Sequence, residues 1–579
     1  MKRCFISFIL IVVSCSFAQK QIDIDFSDVA DTIKSDLLGG NKGPGISSDY
    51  IRAIGIHYIR TNGYYGPADY CFYSSFWNTD SLGNFTTINT SFDPLNPADY
   101  DWAETDSQML KIVDNGFEIY FRLGISMPDS SRLPMPICDP PVDSESTPGN
   151  FTKFAELCVR TAMHYNDGWD SGFHHNIRYF EIWNEPGGVF WNGTAAQFYK
   201  MFKAVSDSIK SYDPSIQIGG PGAVPTTSIG VNTRYREHFL ECLDTSGTEL
   251  DFYSWHIYGT DNPYSIKEYA DTIRALLDYH GFYDAESHIS EINHNLDSTL
   301  DTFVPSPLGA AYYLSLVLTA QQSPIDRFLW YPSVALTSLR SAGIETTFTQ
   351  SASAIKAFHM MQMETPMIVY STGDEVIDGC FDCDTTNFMT LAAKSTDDEK
   401  LYILVSNYRS SNSDYRIAIR NLPWSSSDSV EIRKNFIIDT LNFVETVDTI
   451  VGCDSLIIFQ PDMDAPSVLF LRLVNLSMFN VEGHKETERS EVIKLSRNPF
   501  NDVCKILASF DTDIEIYDIS GKLVFVSSGT YNSETSPHLQ NGFRTILWHP
   551  DTYISSGVYL VRAQNSIGET ITKQILYIK

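Results

Sequence analysis

Ile177-Arg178-Tyr179-Phe180-Glu181-Ile182-Trp183-Asn184-Glu185-Pro186 is the stretch that decides how this chain folds. Its first half is β-branched and aromatic, the composition of a buried strand. Pro186 has no N–H to offer a ladder, so the strand stops at Asn184-Glu185. A carboxylate is thereby placed at the C-terminal tip of a buried parallel strand. In a (β/α)8 barrel that rim is where the chemistry sits.

Working outward, the alternation repeats. Downstream, Thr194 and Gln197 form a capping box, and Phe198, Met201, Phe202, Val205 and Ile209 recur at helical spacing until Asp213-Pro214. Strands are predicted at 216–220, 252–256, 288–291 and 328–331. Between them lie helices near 234–243, at 266–277 (capped by Ser265 and Glu268) and at 306–318. Upstream, strands are expected at 36–40, 56–60 and 117–123. Helices are expected at 48–54, at 102–114 before the Asn115-Gly116 stop, and at 151–165. A last helix covers 353–363. The fold class is therefore α/β, a (β/α)8 TIM barrel over residues 19–365.

The character changes at Pro366. From 366 to 474 strands alternate with turns and no helix is evident, which predicts a β-sandwich. Residues 475–493 are polar and charged, a linker. Residues 494–579 form a second small β domain, with strands at 514–518 and 557–561 and a turn at Ser520-Gly521-Lys522.

A chain of 579 residues exceeds what one hydrophobic core supports. The net charge of −31 opposes non-specific binding to nucleic acid or anionic membrane, so neither is expected as a partner. Residues 1–18 read as a signal peptide: Lys2 and Arg3, an apolar core at 5–13, and Ser16-Phe17-Ala18 at the cleavage site. A competing reading makes Val12-Val13-Ser14-Cys15 a lipoprotein box. No later stretch is long and apolar enough to span a bilayer. Beyond the leader stand Cys71, Cys138, Cys158, Cys242, Cys380, Cys383, Cys453 and Cys504. An exported chain should pair some of them, though spacing does not give the connectivity. The lone Cys380-Phe381-Asp382-Cys383 has no companion pair, so a disulfide or free thiols are expected rather than zinc. His174-His175 lacks a third ligand, and His57 and His288 fall within strands as structural residues. No metal or cofactor is expected.

Two carboxylates stand at comparable strand tips, Glu185 after the fourth strand and Glu291 after the seventh. Retaining glycoside hydrolysis uses such a pair, one as nucleophile and one as acid and then base. The acid needs a raised pKa, which burial and a neighbouring negative charge supply. Trp183, Trp255, Tyr258 and Trp330 are the expected apolar walls, and Asn184 the partner of a sugar hydroxyl.

Phe180-Glu181-Ile182-Trp183-Asn184-Glu185-Pro186, Phe190-Trp191-Asn192-Gly193-Thr194, Asp213-Pro214 and Ile218-Gly219-Gly220-Pro221 resemble glycoside hydrolase family 39. That family includes β-xylosidases and α-L-iduronidase. The similarity continues through Asp251-Phe252-Tyr253-Ser254-Trp255-His256-Ile257-Tyr258-Gly259 and Ser290-Glu291-Ile292-Asn293. It covers about residues 35–365, with the sandwich as the usual companion. The resemblance implies a clan-A retaining mechanism with Glu185 as acid/base and Glu291 as nucleophile. It also implies that His256 and Tyr258 line the subsite and that Asn184 contacts the sugar 2-hydroxyl. Arg60 completes the substrate-binding set. One departure matters: the family often shows Arg-Phe-His-Gly after the second strand, and this chain has Arg60-Thr61-Asn62-Gly63. Xyloside specificity is therefore not carried over.

The C-terminal segments Asn498-Pro499-Phe500-Asn501, Ile516-Tyr517-Asp518-Ile519-Ser520-Gly521-Lys522 and Ser556-Gly557-Val558-Tyr559 resemble the sorting domain of the bacterial type IX secretion system. The resemblance implies the secretion machinery as a partner and a secreted or cell-surface location. A carbohydrate-binding β module is the other reading of this domain. The expectation for the whole chain is a secreted retaining glycosidase acting on plant or algal oligo- or polysaccharides. Two alternatives stand beside it: a catalytically silent glycan-binding surface protein, and an endo-acting clan-A glycanase.

Overall fold

The structure is a computed structural model. It describes residues 20–42, 48–62, 77–79, 85–88, 93–124, 150–186, 195–224, 232–294, 300–333, 348–372, 388–410, 415–425, 427–438, 441–451, 456–459, 463–476, 493–496, 504–509, 513–518, 522–527, 543–548, 550, 554, 557–564 and 570–577. The leader, the Cys380/Cys383 pair and Thr194 of the expected capping box lie outside these residues. The chain divides into two compact units, Met1–Phe479 and Asn480–Lys579.

In the first unit eight parallel strands close into a barrel: Leu38–Asn41, Tyr58–Arg60, Glu118–Leu123, Tyr179–Ile182, Gln217–Ala223, Phe252–Tyr258, Glu286–Asn293 and Arg327–Trp330. They are the eight strands expected from the sequence, in chain order around the ring. The closing pairs are Phe328 with Leu38 and His288 with Arg327. Helix Ala195–Tyr212 shows why the layers hold. Phe198, Met201, Phe202, Val205 and Ile209 are all buried against the barrel, each worth roughly 1.5–3 kcal/mol of transfer free energy. Helix Ala103–Asp114 ends at Asn115, and Gly116 takes the left-handed φ of +77° that the stop signal requires.

One cap differs from expectation. The Ser265 hydroxyl makes no cap bond to helix Ile266–Tyr279; it donates to the Asn262 carbonyl at 2.8 Å instead. Asn262 caps a 3-10 turn, Pro263–Ser265, which leads directly into the helix. The start signal lies one turn earlier because Pro263 favours the first position of that turn.

The expected sandwich is a single nine-stranded sheet curled around its own apolar core, which includes Ile403, Val405, Ile419 and Leu471. Its other face, through Leu404, Tyr402 and Phe470, belongs to the same apolar cluster as the barrel helices. The Ser315 hydroxyl of helix Pro307–Gln321 donates to Ser406 of the sheet at 3.0 Å.

The N-terminal boundary at residue 19 needs correction. Strand Lys20–Thr32 does not join the barrel; it sits within the curled sheet, antiparallel to Met367–Thr372 and parallel to Tyr415–Arg420. Ile22, Ile24 and Phe26 alternate into that sheet's core, which fixes the register.

The second unit holds two small sheets around Ile506, Ile514, Ile516, Trp548, Tyr559 and Val561. Among the described residues, Cys158 and Cys242 carry free thiols, and no helix is long and apolar enough to cross a membrane.

Candidate active site

The barrel's C-terminal rim gathers the expected glutamates. After strand Tyr179–Ile182 the backbone makes an unusual exit: Trp183 and Glu185 both have positive φ, 74° and 46°. Side chains other than glycine rarely adopt this region, and such strain collects at working sites. Here it faces Asn184 and Glu185 into the barrel mouth. The Glu185 N–H donates to the Gly222 carbonyl at 3.1 Å. Gly222 itself has φ +63°, and a Cβ there would lie 3.1 Å from His256 Nε2 and 3.4 Å from Arg60 Nη2. Glycine suits both this left-handed φ and the close approach of the fifth strand to these two side chains.

Glu185 remains partly open, and its Oε1 accepts from His256 Nδ1 at 2.7 Å. Glu291 is buried and more heavily held. Its Oε1 accepts from Arg60 Nη1 at 2.7 Å, and its Oε2 accepts from the Tyr258 hydroxyl at 2.6 Å. His256 Nδ1 stands 3.6 Å from the same Oε2. A carboxylate oxygen of each glutamate and a His256 ring nitrogen all lie within 4.8 Å of one another.

Electrostatics set the state of Glu291. Burial alone would raise the Glu291 carboxyl, but His256, Arg60 and the Tyr258 hydrogen bond outweigh it and hold the group down to about 2. Glu291 is therefore an anion at any ordinary pH. Burial and the adjacent Glu291 push the Tyr258 phenol well above its usual value, so Tyr258 stays a donor.

Arg60 is fully buried and organises the floor. Nε donates to Glu181 Oε2 at 2.5 Å, Nη1 to Asn41 Oδ1 at 3.1 Å, and Nη2 to Asn184 Oδ1 at 2.9 Å. The Asn184 carbonyl oxygen is thus occupied, and its amide NH2 is the group left for a ligand. Glu185, His256 and Glu291 also have the spacing of a metal site. Arg60 and Tyr258 already occupy both Glu291 oxygens, however, and a guanidinium 2.7 Å away opposes a second cation.

Several sequence-expected site residues stand elsewhere. Trp255 points outward: it is fully buried, donates from its indole to Ser287 at 3.2 Å, and packs near Tyr269 of the helix layer. Trp330 likewise faces the helices, 5.2 Å from Tyr313 and 4.6 Å from Phe328 between ring centroids. Trp183 is buried over Gly124, where a Cβ would come within 2.4 Å of its ring. Trp255 and Trp330 support the site without presenting a face to it. Along a strand, side chains alternate, so His256 and Tyr258 point in while Trp255 points out. Arg60 and His256 have no exposed surface either, and both act on the glutamates.

The aromatic wall that the sequence reading missed is Tyr331. It follows the eighth strand and is partly exposed, and its ring lies edge-on to Tyr258 at 6.3 Å. Asn293 Nδ2 donates to its carbonyl at 2.8 Å. Leu329 faces the barrel interior with Tyr58 and Tyr120, so period-two alternation would have nominated Tyr331 over Trp330.

The chain is 25% identical over 205 residues to a β-xylosidase of Geobacillus stearothermophilus and 23% identical over 201 residues to one of Caldicellulosiruptor saccharolyticus. Each alignment takes in 32% of this chain, which spans only 39% and 38% of those curated relatives. Among solved structures, a glucosidase from Croceicoccus marinus superposes with TM-score 0.59 at 19% identity, covering 79% of this chain and 99% of that one. A monomeric β-xylosidase from Caulobacter crescentus gives 0.55 at 15%, covering 79% and 100%. A bacterial orthologue of human α-L-iduronidase gives 0.57 at 12%, covering 96% and 99%. These likenesses establish the shared fold. Residues 144–330, which carry both glutamates, His256, Tyr258 and the last five barrel strands, match the family model of glycosyl hydrolases family 39.

Proposed function

We propose that this chain is a retaining glycoside hydrolase, with Glu291 as nucleophile and Glu185 as acid and then base. The observation that carries the reading is the approach of the two carboxylates to within 4.8 Å. Retaining enzymes hold the pair at about 5 Å, whereas inverting enzymes leave roughly 6.5–9.5 Å for a water.

The chemistry follows from the partners. Glu291, ionised and fixed on both oxygens, attacks the anomeric carbon as Glu185 protonates the departing oxygen. The carbon–oxygen bond to the leaving group breaks, and an ester to Glu291 forms. Having given up its proton, Glu185 is now a carboxylate. It then takes a proton from water as the water attacks the same carbon, the ester bond to Glu291 breaks, and Glu291 leaves as a carboxylate. His256, hydrogen-bonded to Glu185 and 3.6 Å from Glu291, keeps the two groups in register through both steps.

The proposed substrate is a plant or algal oligo- or polysaccharide. Export by the leader at 1–18 and sorting by the C-terminal domain through type IX machinery belong to the same reading; the motifs quoted above support them. A panel of aryl glycosides tests the activity. Turnover of at least one, abolished in Glu291→Ala with sugar binding kept, is expected; no turnover of any would leave the silent glycan binder standing.

A further inference from the structure

Glu181 is the site's third carboxylate, and the two-glutamate scheme does not use it. It has no exposed surface, and its Oε2 accepts from Arg60 Nε at 2.5 Å. Its Oε1 is buried without a hydrogen-bond partner among the described residues. A carboxylate kept only to stabilise the fold would be expected to have both oxygens satisfied, because an orphaned buried charge costs free energy.

The charges around Glu291 supply a reason. Two guanidiniums, Arg60 and Arg122, are fully buried beneath the rim, and the charges of both act on Glu291. Arg122 donates to Asn62 Oδ1 at 2.8 Å and to the Asn62 carbonyl at 3.0 Å. As glycoside cleavage proceeds, Glu291 gives up its charge to the new bond while the sugar ring becomes cation-like. With Glu181 neutral, two fixed cations would then face that ring with no anion behind them.

We propose that Glu181 is a positioning residue that keeps a permanent negative charge behind Arg60, so that the subsite favours a positively charged sugar ring over a neutral one. This rests on the glycosidase reading and concerns only how the subsite discriminates charge.

The test uses the full chain and whichever aryl glycoside the wild type hydrolyses. The probes are the protonated piperidine iminosugar and the free sugar of that same glycone. In Glu181→Gln the iminosugar should bind about 10- to 100-fold more weakly, as expected for one unit charge several ångströms away at an effective dielectric of about 20. The free sugar should stay within about 3-fold, and kcat should fall while KM holds. Glu181→Asp, which keeps the charge, should keep the cation preference. Should Glu181→Gln not fold, Arg122→Gln carries the test with opposite sign, tightening the iminosugar relative to the sugar. Equal loss of both probes in Glu181→Gln, or no change in either, overturns the proposal. A wild type that hydrolyses nothing overturns the glycosidase reading instead.

Discussion

The barrel interior holds two clusters built from the same residue types, one above the other. At the C-terminal rim stand Arg60, Glu181, Glu185, His256, Tyr258 and Glu291. In the N-terminal half stand Tyr58, Tyr120, Tyr179, Glu286, His288 and Arg327. In the lower cluster the groups close on one another, apart from Arg327 Nε, which makes no hydrogen bond among the described residues but stands 3.5 Å from Glu286. Tyr120 donates to His288 Nδ1 at 3.1 Å, and His288 Nε2 donates to Glu286 at 2.8 Å. Tyr179 donates to Glu286 at 3.0 Å, and Arg327 caps the Tyr179 ring at 4.1 Å from its centroid. In the upper cluster His256 Nε2 and Glu181 Oε1 are left without hydrogen-bond partners among the described residues, Glu185 is partly open, and its backbone is strained. The same chemistry therefore acts as a structural tie where it is closed and as a reactive site where it is left unfinished. Position agrees, since barrels keep function at the C-terminal face and stability at the other.

Substitutions that break this contrast are expected to scale with it. Glu291→Ala should lower kcat by about 10⁴-fold or more, measured with an aryl glycoside, because nothing replaces the nucleophile. Tyr258→Phe removes one of the two donors on Glu291 and should cost on the order of 100-fold in kcat at similar KM. Glu286→Gln in the lower cluster should do the reverse, costing about 2 kcal/mol of stability by denaturant melt while kcat of the folded enzyme holds. Burial would raise the Glu286 carboxyl, but His288, Arg327 and Tyr179 hold it down to about 2. Folded Glu286 thus releases its proton more readily than unfolded Glu286. Its contribution is complete above the unfolded pKa of about 4.3 and drains as pH falls toward 2. The Gln variant should lack that slope. On the proposed reading, Tyr331→Ala should raise KM by roughly 10-fold, as the partly exposed ring beside Tyr258 is lost. Trp255→Phe should leave KM unchanged and cost about 1 kcal/mol of stability, since its indole meets Ser287 in the wall.

The contrast also shows what the sequence could reveal. Eight strand–helix alternations and the Asn184-Glu185-Pro186 tip were legible because each is written locally, in period and punctuation. Facing was harder. A parallel strand buried on both sides has no polar alternation, so the sequence did not show which of its two faces is the inner one; once Leu329 is known to face inward, alternation separates Tyr331 from Trp330. Trp255 and Trp330 were drawn into the site as aromatics near the strand tips, and Tyr331 was passed over. Strand Lys20–Thr32 was misassigned for a related reason: its partners Met367–Thr372 and Tyr415–Arg420 lie hundreds of residues away, and pairing at that range leaves no mark in the strand itself. The roles of Arg60 and Glu181 beneath the glutamates were invisible until the ring of strands closed.

The whole account depends on Glu291 reaching the anomeric carbon directly, with no water between. Proton NMR of the first-formed sugar, recorded before mutarotation, reads that step. The account predicts a product with the anomeric configuration of the starting glycoside; a first product of opposite configuration would contradict it.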